Sequence, residues 1–224
     1  MRLGGELFTT CNSPQQWANL VKQKGYAAAF CPIQGDVADD TIQAYRRAAQ
    51  EQDIVIGEVG VWNNVLHPLK KVRDKAMRYA KQQLTLAEKI GANCCVNISG
   101  TLNPNVWYGP HPRNFDRDTL EDAVKAIQEI IDNVQPQNTF YTLEPSPWLY
   151  PTGIESYLTM IKMVNRKAFA VHWDPVNMIS TPRRYYQNGE YLKQCIQAFG
   201  PLIKACHLKD IYMDETFTLY MQER

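Results

Sequence analysis

The chain has 224 residues, with 24 Lys and Arg against 23 Asp and Glu, a formal charge of +1 and 45% apolar positions. That is the profile of a soluble globular domain, and no apolar run approaches the roughly 20 residues of a membrane helix, so a membrane partner is excluded. The balanced charge, without a long Lys/Arg block, gives no electrostatic case for a nucleic-acid partner.

Periodicity divides the chain into alternating strand-like and helical runs, each switch marked by turn residues. Residues 3–8 form a first strand, Ser13 and Pro14 cap and open a helix with Trp17, Leu20 and Val21 on one face, and Gly25 stops it. A strand over 26–32, a helix over 41–52 and a strand over 54–59 follow, the last apolar enough to be covered on both faces. The third helix, 69–90, carries Val72, Ala76, Tyr79, Ala80, Leu84, Ala87 and Ile90 on one face and ends at Gly91. Strand four takes 93–99, and Asp118 with Glu121 makes a capping pair for a fourth helix with a clean 3.6-residue pattern through Val134. Strands over 139–144, 168–174 and 203–211 are separated by helices over 153–164 and 189–199, and 217–223 is a candidate eighth strand.

Strands and helices in strict alternation imply a parallel sheet, either open and doubly wound or closed as a barrel. No G-x-G-x-x-G follows the first strand and no G-x-x-x-x-G-K-[ST] occurs, so the nucleotide-binding open sheets lose their fingerprint. The expected fold is one α/β domain, residues 1–224, a (β/α)8 barrel of the TIM type with its seventh helix reduced and its eighth missing. A chain below the ~250 residues usual for that barrel leaves an apolar strip between the first and last helices, to be hidden by a partner copy or a reduced wall. Six cysteines without a C-x-x-C pair, and no secretory segment at the start, fit a cytoplasmic protein.

Barrel enzymes keep their reactive groups at the carboxyl ends of strands. There the chain has Leu143-Glu144-Pro145, His172-Trp173-Asp174-Pro175, Cys206-His207-Leu208-Lys209-Asp210 and Gln222-Glu223. Glu144 and Asp174 lie 30 residues apart, and Asp174 and His207 33, each about one βα unit. The 16 residues from His207 to Glu223 leave no room for a normal seventh helix. Three carboxylates and one imidazole make a hard, oxygen-rich set that suits Mn2+ or Mg2+, with Co2+ or Zn2+ admissible. Read singly, any of the four is as well explained as a helix cap or surface residue.

At these residues the sequence resembles the xylose isomerase-like TIM-barrel superfamily, the sugar isomerase and epimerase branch related to endonuclease IV. The resemblance runs from Gly4-Gly5 through Trp62-Asn63 and Val171-His172-Trp173-Asp174-Pro175-Val176-Asn177 to His207-Leu208-Lys209-Asp210. It implies a divalent metal held by Glu144, Asp174, His207 and Glu223, and a small sugar or sugar phosphate as partner. It also implies that Glu144 and Glu223 are the catalytic acid/base pair that moves a proton through an enediolate. Two departures stand out: Asn177 occupies a place where many relatives have histidine, and Ile211-Tyr212-Met213 one where they often have arginine.

Trp62, Asn63, Trp107 and Trp148 supply either substrate walls or rim cover. Lys209 and Asn177 are candidates for substrate oxygens, Arg183 for a phosphate or carboxylate unless it is only a solvated turn. His172, two residues before Asp174 and so on the same strand face, is a site partner or a core histidine. A metal phosphodiesterase like endonuclease IV and a non-catalytic sugar-binding barrel are the alternatives. Four histidines in the whole chain are few for the first.

Overall fold

A computed structural model describes residues 1–214 of the chain. Seven strands form one parallel sheet in the order of the sequence: β1 (Gly4–Gly5), β2 (Ala28–Phe30), β3 (Val55–Gly60), β4 (Cys94–Asn97), β5 (Phe140–Leu143), β6 (Phe169–Trp173) and β7 (Ile203–Cys206). The helices between them are α1 (Pro14–Gln23), α2 (Asp39–Glu51), α3 (Lys70–Ile90), α4 (Arg117–Val134) and α5 (Ile154–Val164), with α6 (Pro175–Met178), α7 (Pro182–Tyr186) and α8 (Asn188–Phe199) in the last crossover.

The sheet curls into a barrel wall. Glu58 on β3 touches His172 on β6 at 2.7 Å, although three inter-strand steps would part them by about 14 Å in a flat sheet. The long helices lay their apolar stripes on the outside of this wall: Trp17, Ala18 and Val21 from α1, Ala80, Leu84 and Ala87 from α3, Ile127, Ile130 and Ile131 from α4. β4 and β6 are buried along their whole length, as strands covered on both faces must be.

Several local expectations meet the structure directly. Ser13 caps α1, its Oγ accepting from the Gln16 N–H at 3.2 Å, and Gly91 ends α3 at φ 80°. The start of α4 differs: Asp116 is the cap residue, and Glu121 pairs with Arg117 at 2.9 Å rather than closing a capping box with Asp118. Val72, expected on the buried face of α3, is exposed because it lies in the first turn, before the helix meets the wall.

The edge strands are much shorter than 3–8 and 203–211. Gly4 lies so close to β2 that a Cβ there would sit 2.4 Å from the Ala28 carbonyl oxygen. The glycines set the close pairing, and the chain leaves the sheet immediately after them, turning Phe8 to solvent. β7 stops at Cys206, with one further ladder bond from His207 N–H to the Trp173 carbonyl at 3.0 Å. Residues 207–214 therefore lie beyond the strand, without helix. The expected eighth strand, 217–223, and with it Glu223, lies outside the described residues. None of the described helices is long and apolar enough to cross a membrane.

Candidate functional site

β3, β5, β6 and β7 and the residues just after them bring six ionisable side chains into one cluster. Glu144 and Asp174 each follow their strand by a single residue, which lifts them to the rim of the wall. The buried Tyr157 hydroxyl, carried by α5, donates to the Leu143 carbonyl and lies 3.3 Å from that of His172, tying the ends of β5 and β6 together just behind them. Asp174 also caps α6 through the Asn177 N–H at 3.2 Å, and Asn177 Nδ2 in turn donates to Glu144 Oε1 at 2.6 Å.

His207 Nδ1 faces Glu144 Oε2 at 3.3 Å and Asp174 Oδ2 at 3.6 Å, while its Nε2 faces Glu58 Oε2 at 3.6 Å. Lys209 Nζ reaches Asp174 Oδ2 at 2.5 Å as a charge contact. The electrostatics follow from this crowding. Burial alone would push the His207 imidazole down, but Asp174, Glu144 and Glu58 outweigh it and hold the ring up at about 11. Burial would likewise raise the Glu58 carboxyl, yet His172 and His207 bring it down to about 2. Asp174 follows the same logic: against burial, His207, Lys209 and the Asn177 N–H hold it at about 2.

The donor set fits a divalent cation. One ligand atom each from Glu144, Asp174 and His207 lies within 4.8 Å of the other two, and Asp174 Oδ2 is buried without an aligned hydrogen bond. Two carboxylates and one imidazole, with no thiolate among them, match the hard cations Mn2+ and Mg2+ better than a sulfur-seeking metal. Glu58, His172 and His207 form a second such group.

Two clefts flank the cluster. One of about 700 Å3 runs from Glu58 and His207 to Phe30, Cys31 and Trp62. The other, about 370 Å3, is walled by Trp62, Trp107, Tyr108 and Trp148 and reaches Glu144 and Asn177. Trp62 divides them, in a left-handed backbone conformation at φ 46°. A Cβ at residue 60 would stand 2.2 Å from its indole nitrogen, so Gly60 is what lets the ring fold back over the end of β3. Trp148 is braced from across the cleft, its Nε1 donating to the Tyr108 carbonyl at 2.5 Å.

The structure thus gathers Glu144, Asp174, His207, His172, Lys209 and Asn177, and sets Trp62, Trp107 and Trp148 around them. It places two candidates elsewhere. Asn63 is spent on tying its loop to α3 and β4, its Nδ2 on the Ala76 carbonyl at 3.1 Å and its Oδ1 receiving Asn97 Nδ2 at 3.4 Å. Arg183 lines a separate recess with Gln187 and Glu190, between α7 and α8. Glu58 is the residue that sequence reasoning passed over. Its signal was a lone charge inside the apolar run Ile54-Val55-Ile56-Gly57-Glu58-Val59, where an unpaired carboxylate would be costly. The two remaining histidines serve loops: His67 Nδ1 accepts from the Leu69 N–H and His111 Nδ1 from the Arg113 N–H.

Comparison with known proteins agrees with this architecture. The family model described as xylose isomerase-like TIM barrel matches residues 18–217. Curated protein sequences give no significant match. Among solved structures, the chain is similar to the Escherichia coli 3-keto-D-glucoside 4-epimerase YcjR, with TM-score 0.64, 15% identity, and 92% of this chain and 77% of that one covered. It is also similar to endonuclease IV from Thermus thermophilus, with TM-score 0.70, 12% identity, and 94% and 77% covered. A third is a xylose isomerase-like TIM barrel protein from Mycobacterium smegmatis in complex with magnesium, with TM-score 0.59, 18% identity, and 88% and 67% covered. Identities this low carry the fold and no more. With the family model spanning most of the chain and the curled parallel sheet behind it, the chain belongs to the xylose isomerase-like TIM barrel family.

Proposed function

We propose that this protein is a divalent-metal-dependent sugar or sugar-phosphate isomerase or epimerase. The observation that carries the reading is the convergence of Glu144, Asp174 and His207 within 4.8 Å at the carboxyl ends of three consecutive strands, beside an aromatic cleft. Similarity in fold to a keto-sugar epimerase supports it.

The chemistry requires a proton to leave the carbon next to a carbonyl and return to the same or the neighbouring carbon. Glu144 is the base: Asn177 holds its Oε1, leaving Oε2 turned toward the cluster. A divalent cation held by Glu144, Asp174 and His207, Mn2+ above others, supplies Lewis acidity toward the carbonyl and adjacent hydroxyl oxygens. Lys209, now on Asp174, stands where it can donate to an oxygen that gains charge as the proton leaves. The indoles of Trp62, Trp107 and Trp148 offer flat faces for the C–H side of a sugar ring or chain. The resemblance in sequence assigns the second carboxylate, which returns the proton on the opposite face, to Glu223.

The test is incubation of the Mn2+-loaded protein with a panel of ketoses in D2O. The reading expects deuterium at the carbon beside the carbonyl of at least one sugar, and loss of that exchange on removal of the metal by a chelator. Absence of exchange across the panel, with Mn2+ bound, would contradict it.

A further inference from the structure

Glu58 has no part in the reaction just described, yet it is a buried carboxylate of the mouth. It projects from β3, across the barrel from β6 and β7, and is 6% exposed. Its Oε2 takes His172 Nε2 at 2.7 Å and faces His207 Nε2 at 3.6 Å. Among the described residues, His172 is its hydrogen-bond partner and His207 a longer charge contact.

The opposite edge of each ring points the other way. His207 Nδ1 faces Glu144 and Asp174. His172 Nδ1 lies 3.8 Å from Glu144 Oε2, on a fully buried ring, and makes no hydrogen bond. The two rings meet edge-on, with centroids 4.4 Å apart and planes at 80°. A neutral imidazole carries one N–H, and a nitrogen that is to face a cation must be the one without it.

From this geometry we infer that Glu58 is a positioning residue that fixes both imidazoles of the mouth. By accepting the Nε2 proton of His172 and attracting the Nε2 edge of His207 at a single carboxylate oxygen, it turns the Nδ1 edges of both rings toward Glu144 and Asp174. His207 Nδ1 then becomes a ligand when an arriving cation displaces its proton. His172 keeps its unpartnered Nδ1 buried beside Glu144, on the strand that ends just before Asp174. Carboxylates that hold a ligating histidine through its far nitrogen raise metal affinity in this way. The charge is what the task needs: both rings meet the same oxygen, Oε2, and a glutamine carbonyl in its place would carry no negative charge to hold the two N–H groups. The inference rests on the metal-site reading proposed above.

Two measurements test it. Nitrogen-15 NMR of the imidazoles in the unsubstituted protein should find His172 protonated on Nε2 with or without metal, and His207 protonated on Nε2 once Mg2+ is bound. Mn2+ titration calorimetry should find Glu58→Gln weakened by about 10–100-fold relative to the unsubstituted protein. A proton on Nδ1 of His172, or a folded Glu58→Gln protein with unchanged Mn2+ affinity, would overturn the inference. Should Glu58→Gln fail to fold, the imidazole protons of the unsubstituted protein decide. Absence of Mn2+ binding by the unsubstituted protein would strike the isomerase reading instead, and the His172 proton would still decide this one.

Discussion

Ion pairs of the outer shell and of the mouth have the same chemistry in opposite settings. On the outside, Arg166 meets Asp132 at 2.5 Å and Lys81 meets Glu129 at 2.8 Å, with water against both partners. In the mouth, Lys209, itself 45% exposed, meets Asp174 at the same 2.5 Å, but the Asp174 side chain is 0% exposed, and Glu144 and His207 stand close to it. Outside, solvent screening and side-chain entropy leave each pair worth little. Inside, removing charges from water costs about as much as their attraction returns. A fold has no stability reason to gather three carboxylates at one end of its barrel. The contrast singles out the mouth as the candidate site, and the shell as packing and solvation.

The sharpest way to break the contrast is Glu144→Gln. Turnover should fall by about 10^2–10^4-fold, the usual loss for a general base, while circular dichroism and the thermal midpoint stay close to those of the unsubstituted protein. Retained activity would remove Glu144 from proton transfer. Next in size, Asp174→Asn should weaken Mn2+ binding by more than the roughly 10–100-fold expected for Glu58→Gln, because Asp174 offers an oxygen to the ion itself. Titration calorimetry of the two variants side by side measures the order.

The pH dependence of the metal-free protein distinguishes the regions next. Glu58 and Asp174 have folded values depressed to about 2, so their contribution is present above pH ~4.5, the top of the unfolded carboxyl range, and is lost as pH falls toward 2. His207 is raised to about 11, so its contribution is complete below its unfolded value near pH ~6.5 and is lost progressively as pH rises toward 11. Denaturant melts should therefore be most resistant between about pH 5 and 6.5. Saturation with Mg2+ should flatten the alkaline limb, since the ion takes the place of the His207 proton. The smallest effect belongs to the shell. Arg166→Ala should cost no more than about 0.2–1 kcal/mol in urea unfolding and leave turnover unchanged.

Much of the site was readable in the sequence because βα units have a regular length. One unit separates Glu144 from Asp174 and another Asp174 from His207, which puts all three at one end of the wall whatever the details of the loops. Lys209 followed from its place beside His207. Glu58 escaped because it lies inside a strand rather than after one; an inward-facing residue is revealed only when the sheet curls and brings β3 opposite β6 and β7. Asn63 and Arg183 lie in segments whose course depends on tertiary contacts, the Asn63–Asn97 pair in one case and the α7–α8 packing in the other. The short edge strands were hidden for a similar reason: apolar pattern marks residues 3–8 as strand-like, but the approach of Gly4 to Ala28 ends the pairing after two residues.

The central claim is that Glu144, Asp174 and His207 together hold a divalent cation at the mouth. Anomalous scattering from crystals soaked in Mn2+ tests it most directly. The account predicts one strong peak within bonding reach of Glu144, Asp174 Oδ2 and His207 Nδ1, with Lys209 displaced from Asp174. A cluster without a peak, Lys209 still on Asp174 and the ion bound elsewhere on the surface would contradict it.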